Sequence, residues 1–81
     1  PVYEFSKDLL SSGLPIINAL AEHTQIFSSK GEARRMLQSK AVMVNKSQVD
    51  EGKILNNEDA LNGRFIIIQK GKKNYHLIKL I

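Results

Sequence analysis

Apolar residues recur at helical spacing in two stretches of this chain and at strand spacing in three. Ile16, Ile17, Leu20 and Ala21 predict a helix over 15–24. Pro15 suits a first helical position and biases Leu14 away from helix, while Ser11-Ser12-Gly13 reads as a break before it. Ser29 and Glu32 have the S-x-x-E spacing of a capping box, in which the hydroxyl accepts from the Glu32 N–H and the glutamate reaches back to the Ser29 N–H. They open a second helix over 30–39, with Ala33, Met36 and Leu37 on its apolar stripe and Arg34, Arg35 and Gln38 opposite. The two helices are expected to meet through a tight connection at Ser28-Ser29.

Strand spacing dominates the rest. Val2 to Phe5 reads as a short extended arm. Val42 and Val44 predict a strand with Met43 on its other face; Asn45 to Gln48 turn the chain and Val49 resumes it. Residues 50–62 are acidic and amide-rich, a loop with room for one helical turn, anchored by Ile54, Leu55 and Leu61 and closed by the turn signal Asn62-Gly63. Phe65 to Gln69 is apolar on both faces, as in a central strand, and Asn74 to Leu80 is its partner. Lys70-Gly71-Lys72-Lys73 between them makes a cationic hairpin tip, where Gly71 is free to take positive φ. The fold class implied is α+β: two N-terminal helices packed on a small, mostly antiparallel, twisted sheet.

Charge changes this picture more than composition does. With 81 residues, 42% apolar and 25% charged, the chain is an ordinary small folded domain. It has no cysteine, which excludes disulfides and thiolate metal sites and fits a cytoplasmic location. No apolar run reaches the roughly 20 residues of a membrane helix, so no membrane partner is expected. No signal peptide is visible. The first residue is Pro1 rather than Met, which suggests a piece of a longer protein. The net charge of +4 is unevenly spread. Residues 30–46 carry Lys30, Arg34, Arg35, Lys40 and Lys46 against Glu32, and residues 64–81 carry Arg64, Lys70, Lys72, Lys73 and Lys79 with no acid. The remaining stretches, 1–29 and 47–63, are net acidic. Two basic blocks on one surface would suit an RNA backbone.

Two segments carry candidate chemistry. Ser29 to Arg35 is either a capped helix with a solvated basic face or a phosphate dock. In the second reading the helix start offers free N–H groups, Gly31 lets a phosphate come close, and Arg34 and Arg35 bind its oxygens. Lys70 to Lys73 is either a hairpin tip whose lysines guard a sheet edge or a cationic finger along RNA. Tyr75 beside it either stacks on a base or packs against the apolar strand face with its hydroxyl outward. The candidate RNA-binding set is Lys30, Gly31, Arg34, Arg35, Gln38, Lys46, Lys70, Lys72 and Lys73. His23 and His76 are too isolated for catalysis or metal binding. No nucleophile elbow, phosphate-cradling loop or dinucleotide fingerprint is present, so neither catalytic residues nor cofactors are expected within these residues.

Ser29-Lys30-Gly31-Glu32-Ala33-Arg34-Arg35-Met36-Leu37, followed by Ala41-Val42-Met43-Val44-Asn45, resembles the signature of S-four-type RNA-binding domains. Asp50-Glu51-Gly52-Lys53-Ile54-Leu55 and the run from Gly63-Arg64-Phe65 through Gly71-Lys72-Lys73-Asn74-Tyr75-His76-Leu77-Ile78 are similar to the C-terminal end of bacterial tyrosyl-tRNA synthetases. The resemblance implies an RNA-binding domain over 14–81, with 1–13 as the lead-in from a preceding domain. It implies contact with tRNA-Tyr around its long variable arm and anticodon stem. Tyrosine activation with ATP and Mg would belong to a catalytic domain outside these residues, through which the parent enzyme forms a homodimer. Two departures stand out. The family often has glycine where this chain has Ser39-Lys40, which disfavours a left-handed helix cap, and Asn-Gly where it has Asn45-Lys46, which speaks against a type I′ turn. An rRNA-binding module of a ribosome-associated or RNA-modifying protein, and a protein-interaction domain with a basic face, are the alternatives to be tested.

Overall fold

The computed structural model describes residues 2–81. Its elements, in order, are β1 (Val2–Phe5), α1 (Lys7–Ser11), β2 (Leu14–Pro15), α2 (Ile16–Ala21), α3 (Lys30–Gln38), β3 (Val42–Val44), β4 (Ser47–Gln48), β5 (Ile54–Leu55), a 3-10 turn (Asn57–Asp59), β6 (Phe65–Lys70) and β7 (Asn74–Leu80). Five strands form one sheet in the order β1-β7-β6-β3-β4, antiparallel except for the parallel pair β1–β7; β2 and β5 make a separate antiparallel pair. The α+β expectation of a mostly antiparallel sheet with helices is met.

Strand alternation explains where the core lies. Ile66, Ile68, Ile78 and Leu80 point inward with Val42 and Val44, and meet Ala19, Leu20, Ala33 and Leu37 from α2 and α3. Phe5 and Leu10 join the same core at 2% and 0% exposure, so β1 and α1 are built into the unit that 14–81 was expected to form. The chain segment drawn as a lead-in is an edge strand and a helical turn. Its five-residue helix gave no periodic signal, but Ser6 caps it by accepting from the Asp8 N–H.

The helices are shorter than their patterns. Pro15 is the N-cap of α2 rather than its first residue, and α2 stops at Ala21 instead of 24. Thr24 ends it: its buried hydroxyl donates to the Ala19 and Leu20 carbonyls, and its oxygen accepts from the Ile26 N–H. The connection is therefore a bent segment over 22–29 that buries Ile26 and Phe27, not a tight turn. At α3, Ser29 accepts from the Glu32 N–H as expected, but the Glu32 carboxylate accepts from the Ser28 hydroxyl rather than returning to the Ser29 N–H. Residues 50–62 hold a 3-10 turn as anticipated and, in addition, β5; of its three anchors only Leu55 is buried.

Both departures at the turns resolve against the sequence expectation. Lys40 takes φ 62, with its N–H bonded to the Leu37 carbonyl and the Ala41 N–H to the Met36 carbonyl. That is a Schellman cap carried by lysine. Asn45 and Lys46 take φ 51 and 72, so the β3–β4 hairpin uses positive φ at both turn positions despite the missing glycine. At Lys40 the cap's own bonds hold the left-handed residue, and at Asn45 the side-chain bonds to Ile67 and Asp59 do so. Lys40→Gly should remove the left-handed penalty of roughly 1–2 kcal/mol, less the added freedom of the unfolded chain, for a net gain of about 0.5–1 kcal/mol. Thermal unfolding should then shift upward by about 3–8 °C, while Lys40→Ala gains nothing.

Candidate nucleic-acid interface

Two links bring the basic blocks to one corner. The Gly71 N–H, at the start of the β6–β7 tip, donates to the Ala41 carbonyl just beyond α3 at 2.7 Å. The Lys70 ammonium donates to the Ile26 carbonyl at 3.0 Å and lies over the Phe27 ring at 4.7 Å. The tip is thus fastened to both the segment leading into α3 and the segment leaving it. Gly71 takes φ 71, as its place in the turn requires, and the Gln69 amide braces the tip by donating to the Gly71 carbonyl at 3.0 Å.

The nine candidate residues fall into distinct settings. Lys72, Lys73 and Arg35 are exposed, with no carboxylate partner among the described residues. Lys30 pairs with Glu22, whose carboxyl is held below its usual range by that bond. Arg34 lies 3.5 Å from Glu51, and Gln38 donates to the same carboxylate at 3.1 Å. The side chains of Arg34 and Glu51 are 55% and 44% exposed, so the pair holds them by only about 0–1 kcal/mol and a phosphate can displace it. Gly31 has open space around it: an added Cβ would find only the Ser29 hydroxyl, at 4.0 Å. Nothing inside the protein asks for glycine there.

Two members differ from the sequence reading. Lys70 is half-buried and its ammonium is engaged by Ile26 and Phe27, which makes it a clasp between the blocks. Lys46 is exposed, but the register that sets Val42 opposite Lys70 and Val44 opposite Ile68 puts it beyond the other end of β3, roughly 10 Å along the strand from the tip. The sequence gives the charges of these lysines but not their partners.

Asn45, a turn residue and the last residue of the S-four-type signature in the sequence, has a bridging role that the sequence does not show. Its side-chain oxygen accepts from the Ile67 N–H at 2.9 Å, and its amide donates to the Asp59 carbonyl. One side chain thus joins the β3–β4 turn to β6 and to the 3-10 turn. Among the described residues no group of three or more His, Cys, Asp or Glu side chains is arranged to hold a metal ion, and no helix is long and apolar enough to cross a membrane.

The chain matches known proteins over nearly its whole length. The family described as tyrosine–tRNA ligase SYY-like C-terminal domain matches residues 4–78. The tyrosine–tRNA ligase of Flavobacterium johnsoniae is 40% identical over 81 residues, covering 100% of this chain and 19% of that protein. Those of Bacteroides thetaiotaomicron and Porphyromonas gingivalis are 33% and 37% identical over 79 residues, each covering 96% of this chain and 18% of the relative. The chain spans about a fifth of the length of the curated relatives it matches. A match of this extent leaves little of the fold unaccounted for, and the chain belongs to the family of tyrosine–tRNA ligase C-terminal domains.

Proposed function

We propose that this domain docks tRNA-Tyr for a tyrosine–tRNA ligase whose catalytic part lies outside these residues. The observation that carries the reading is the pinned corner, where the Gly71 and Lys70 bonds hold the lysine tip against the segments flanking α3. Arg35, Lys72 and Lys73 meet RNA phosphates directly; Arg34, Gln38 and Lys30 do so by exchanging carboxylate for phosphate. Gly31 lets the backbone of the RNA approach the start of α3. Such contacts fix position and orientation without reading sequence. The variable arm and anticodon stem of the tRNA are the partner surface, and docking there raises the effective concentration of the acceptor end at the distant active site. ATP and Mg serve that site, and the ligase works in the cytoplasm as a homodimer formed through its catalytic part.

The test is binding of a tRNA-Tyr transcript to this chain across a salt series, beside an rRNA hairpin of similar length. Log K should fall with log salt at a slope of about −0.7 to −0.9 for each phosphate neutralised, and tRNA-Tyr should bind more tightly. A flat titration would leave the basic blocks without an RNA role. Equal or tighter binding to the rRNA hairpin would favour the ribosomal alternative, and nuclease-resistant capture of an acidic protein without RNA affinity would favour the protein-interaction one.

A further inference from the structure

The helices cover one face of the sheet, and the other face has a composition that charge alone does not explain. Phe65, Ile67 and Gln69 of β6, with Tyr75, Leu77 and Lys79 of β7, point away from the core set Ile66, Ile68 and Ile78. Tyr75 is 52% exposed and Val2, on β1, 62%. The cross-strand register lines up Gln48, Met43, Gln69 and Tyr75 as one outward row across four strands. It is the outward row nearest the lysine tip. Neighbouring strands are about 4.8 Å apart, so these side chains form a continuous strip. The next row is Ile67, Leu77 and Val2, and the only carboxylate on the outward rows of β1, β6 and β7 is Glu4, which sits opposite Lys79 in the row furthest from the tip.

We infer that the Gln48–Met43–Gln69–Tyr75 row is a contact surface for unpaired bases of the bound RNA, an inference that rests on the RNA-docking role proposed above. The Tyr75 ring offers a stacking face, Met43 a polarisable apolar one, and the two glutamine side-chain oxygens offer acceptors to base edges, the Gln69 NH2 being turned to the Gly71 and Lys72 carbonyls and one Gln48 N–H to the Lys40 carbonyl. Gln69 is already oriented by its bond to the Gly71 carbonyl. Charge complementarity selects the occupant. The row itself contains no acid and is flanked by Lys72 and Lys73 at its Tyr75 end, with Asp50 beside its Gln48 end, so a polyanion that presents flat rings fits it from the lysine tip. The phosphate contacts and the base contacts then lie on adjoining surfaces, and single-stranded nucleotides at the end of an RNA stem can bend round the tip from one to the other.

The experiment compares Tyr75→Ala, Tyr75→Phe and the double variant Lys72→Ala/Lys73→Ala of this chain, with two probes: a tRNA-Tyr transcript and a fully paired RNA duplex. Tyr75 is exposed, so thermal unfolding should be nearly unchanged and the binding data interpretable. Stacking of one base is worth about 1–3 kcal/mol, so Tyr75→Ala should bind the transcript roughly 5–150-fold more weakly. Its salt slope should stay at the wild-type value, duplex binding should not change, and Tyr75→Phe should keep most of the affinity. The double lysine variant should lower the slope for both probes. If Tyr75→Ala binds the transcript as tightly as wild type while the lysine variant loses slope, the base platform is overturned and the docking role stands. Equal losses on transcript and duplex, or equal losses for Ala and Phe, overturn it too. If wild type binds neither probe, the docking role falls and the platform falls with it.

Discussion

Asn45→Ala should be among the most damaging single substitutions in the domain, lowering stability by about 2–4 kcal/mol. Three losses combine. The Ile67 N–H and the Asp59 carbonyl both lose their partner, and alanine must hold the left-handed conformation that Asn45 adopts at φ 51. For a domain of this size each kcal/mol corresponds to about 4–8 °C, so thermal unfolding should move down by roughly 8–32 °C. Two further variants separate the causes. Asn45→Gly keeps the turn but not the bridges, and should recover only the backbone share of about 1 kcal/mol. Asn45→Asp keeps the acceptor for Ile67 but turns an oxygen toward the Asp59 carbonyl, and should recover little. If Asn45→Gly matches wild type, the bridges contribute nothing and the asparagine is there only for its φ.

Lys70→Met should behave as a stability variant, not as a binding variant. A hydrogen bond to a charged group contributes about 1.5–3 kcal/mol and a cation over a ring about 0.5–1, while methionine preserves the packing of the stem. The half-exposed setting of Lys70 points to the lower part of the sum, about 2–3 kcal/mol. In urea the midpoint should fall with an unchanged m-value. The salt slope of RNA binding should stay put, because the ammonium is spent on the Ile26 carbonyl and the Phe27 ring. Lys72→Ala should do the opposite, keeping stability and lowering the slope by about 0.7–0.9. If Lys70→Met lowers the slope as Lys72→Ala does while leaving the urea midpoint in place, Lys70 is a phosphate ligand and not a clasp.

These two residues also mark the limit of what the sequence discloses. Elements with several repeats of a period were legible: β7 has the bounds its pattern implied, α3 and β6 differ from theirs by one residue, and the lysine tip is where the hairpin put it. The shortest elements divide: β1 and β3 were legible at their bounds and the 3-10 turn was anticipated, whereas α1, β2 and β5 gave no local periodic signal. Leu55 pairs with Leu14, and nothing near either residue announces it. Thr24 and Asn45 escaped for a related reason. Their side chains stand in for backbone partners, and a threonine or asparagine in a polar stretch looks the same whether or not it does so. At the candidate site the charges and their two blocks were visible, whereas the Glu51 contacts with Arg34 and Gln38, and the burial of the Lys70 head, depend on which loops the fold brings alongside. The outward strip from Gln48 to Tyr75 needed the strand register, since its four members come from four separate strands.

The parallel pairing of β1 with β7 sets Val2 opposite Leu77 and Phe5 opposite Leu80, so the opening strand finds its neighbour only in the closing one. During synthesis α2, α3 and β3 can assemble early, but Phe5 stays uncovered until Leu80 of β7 is available. Closing so long a loop is slow compared with forming hairpins. Disruption of β7 would therefore release β1 as well.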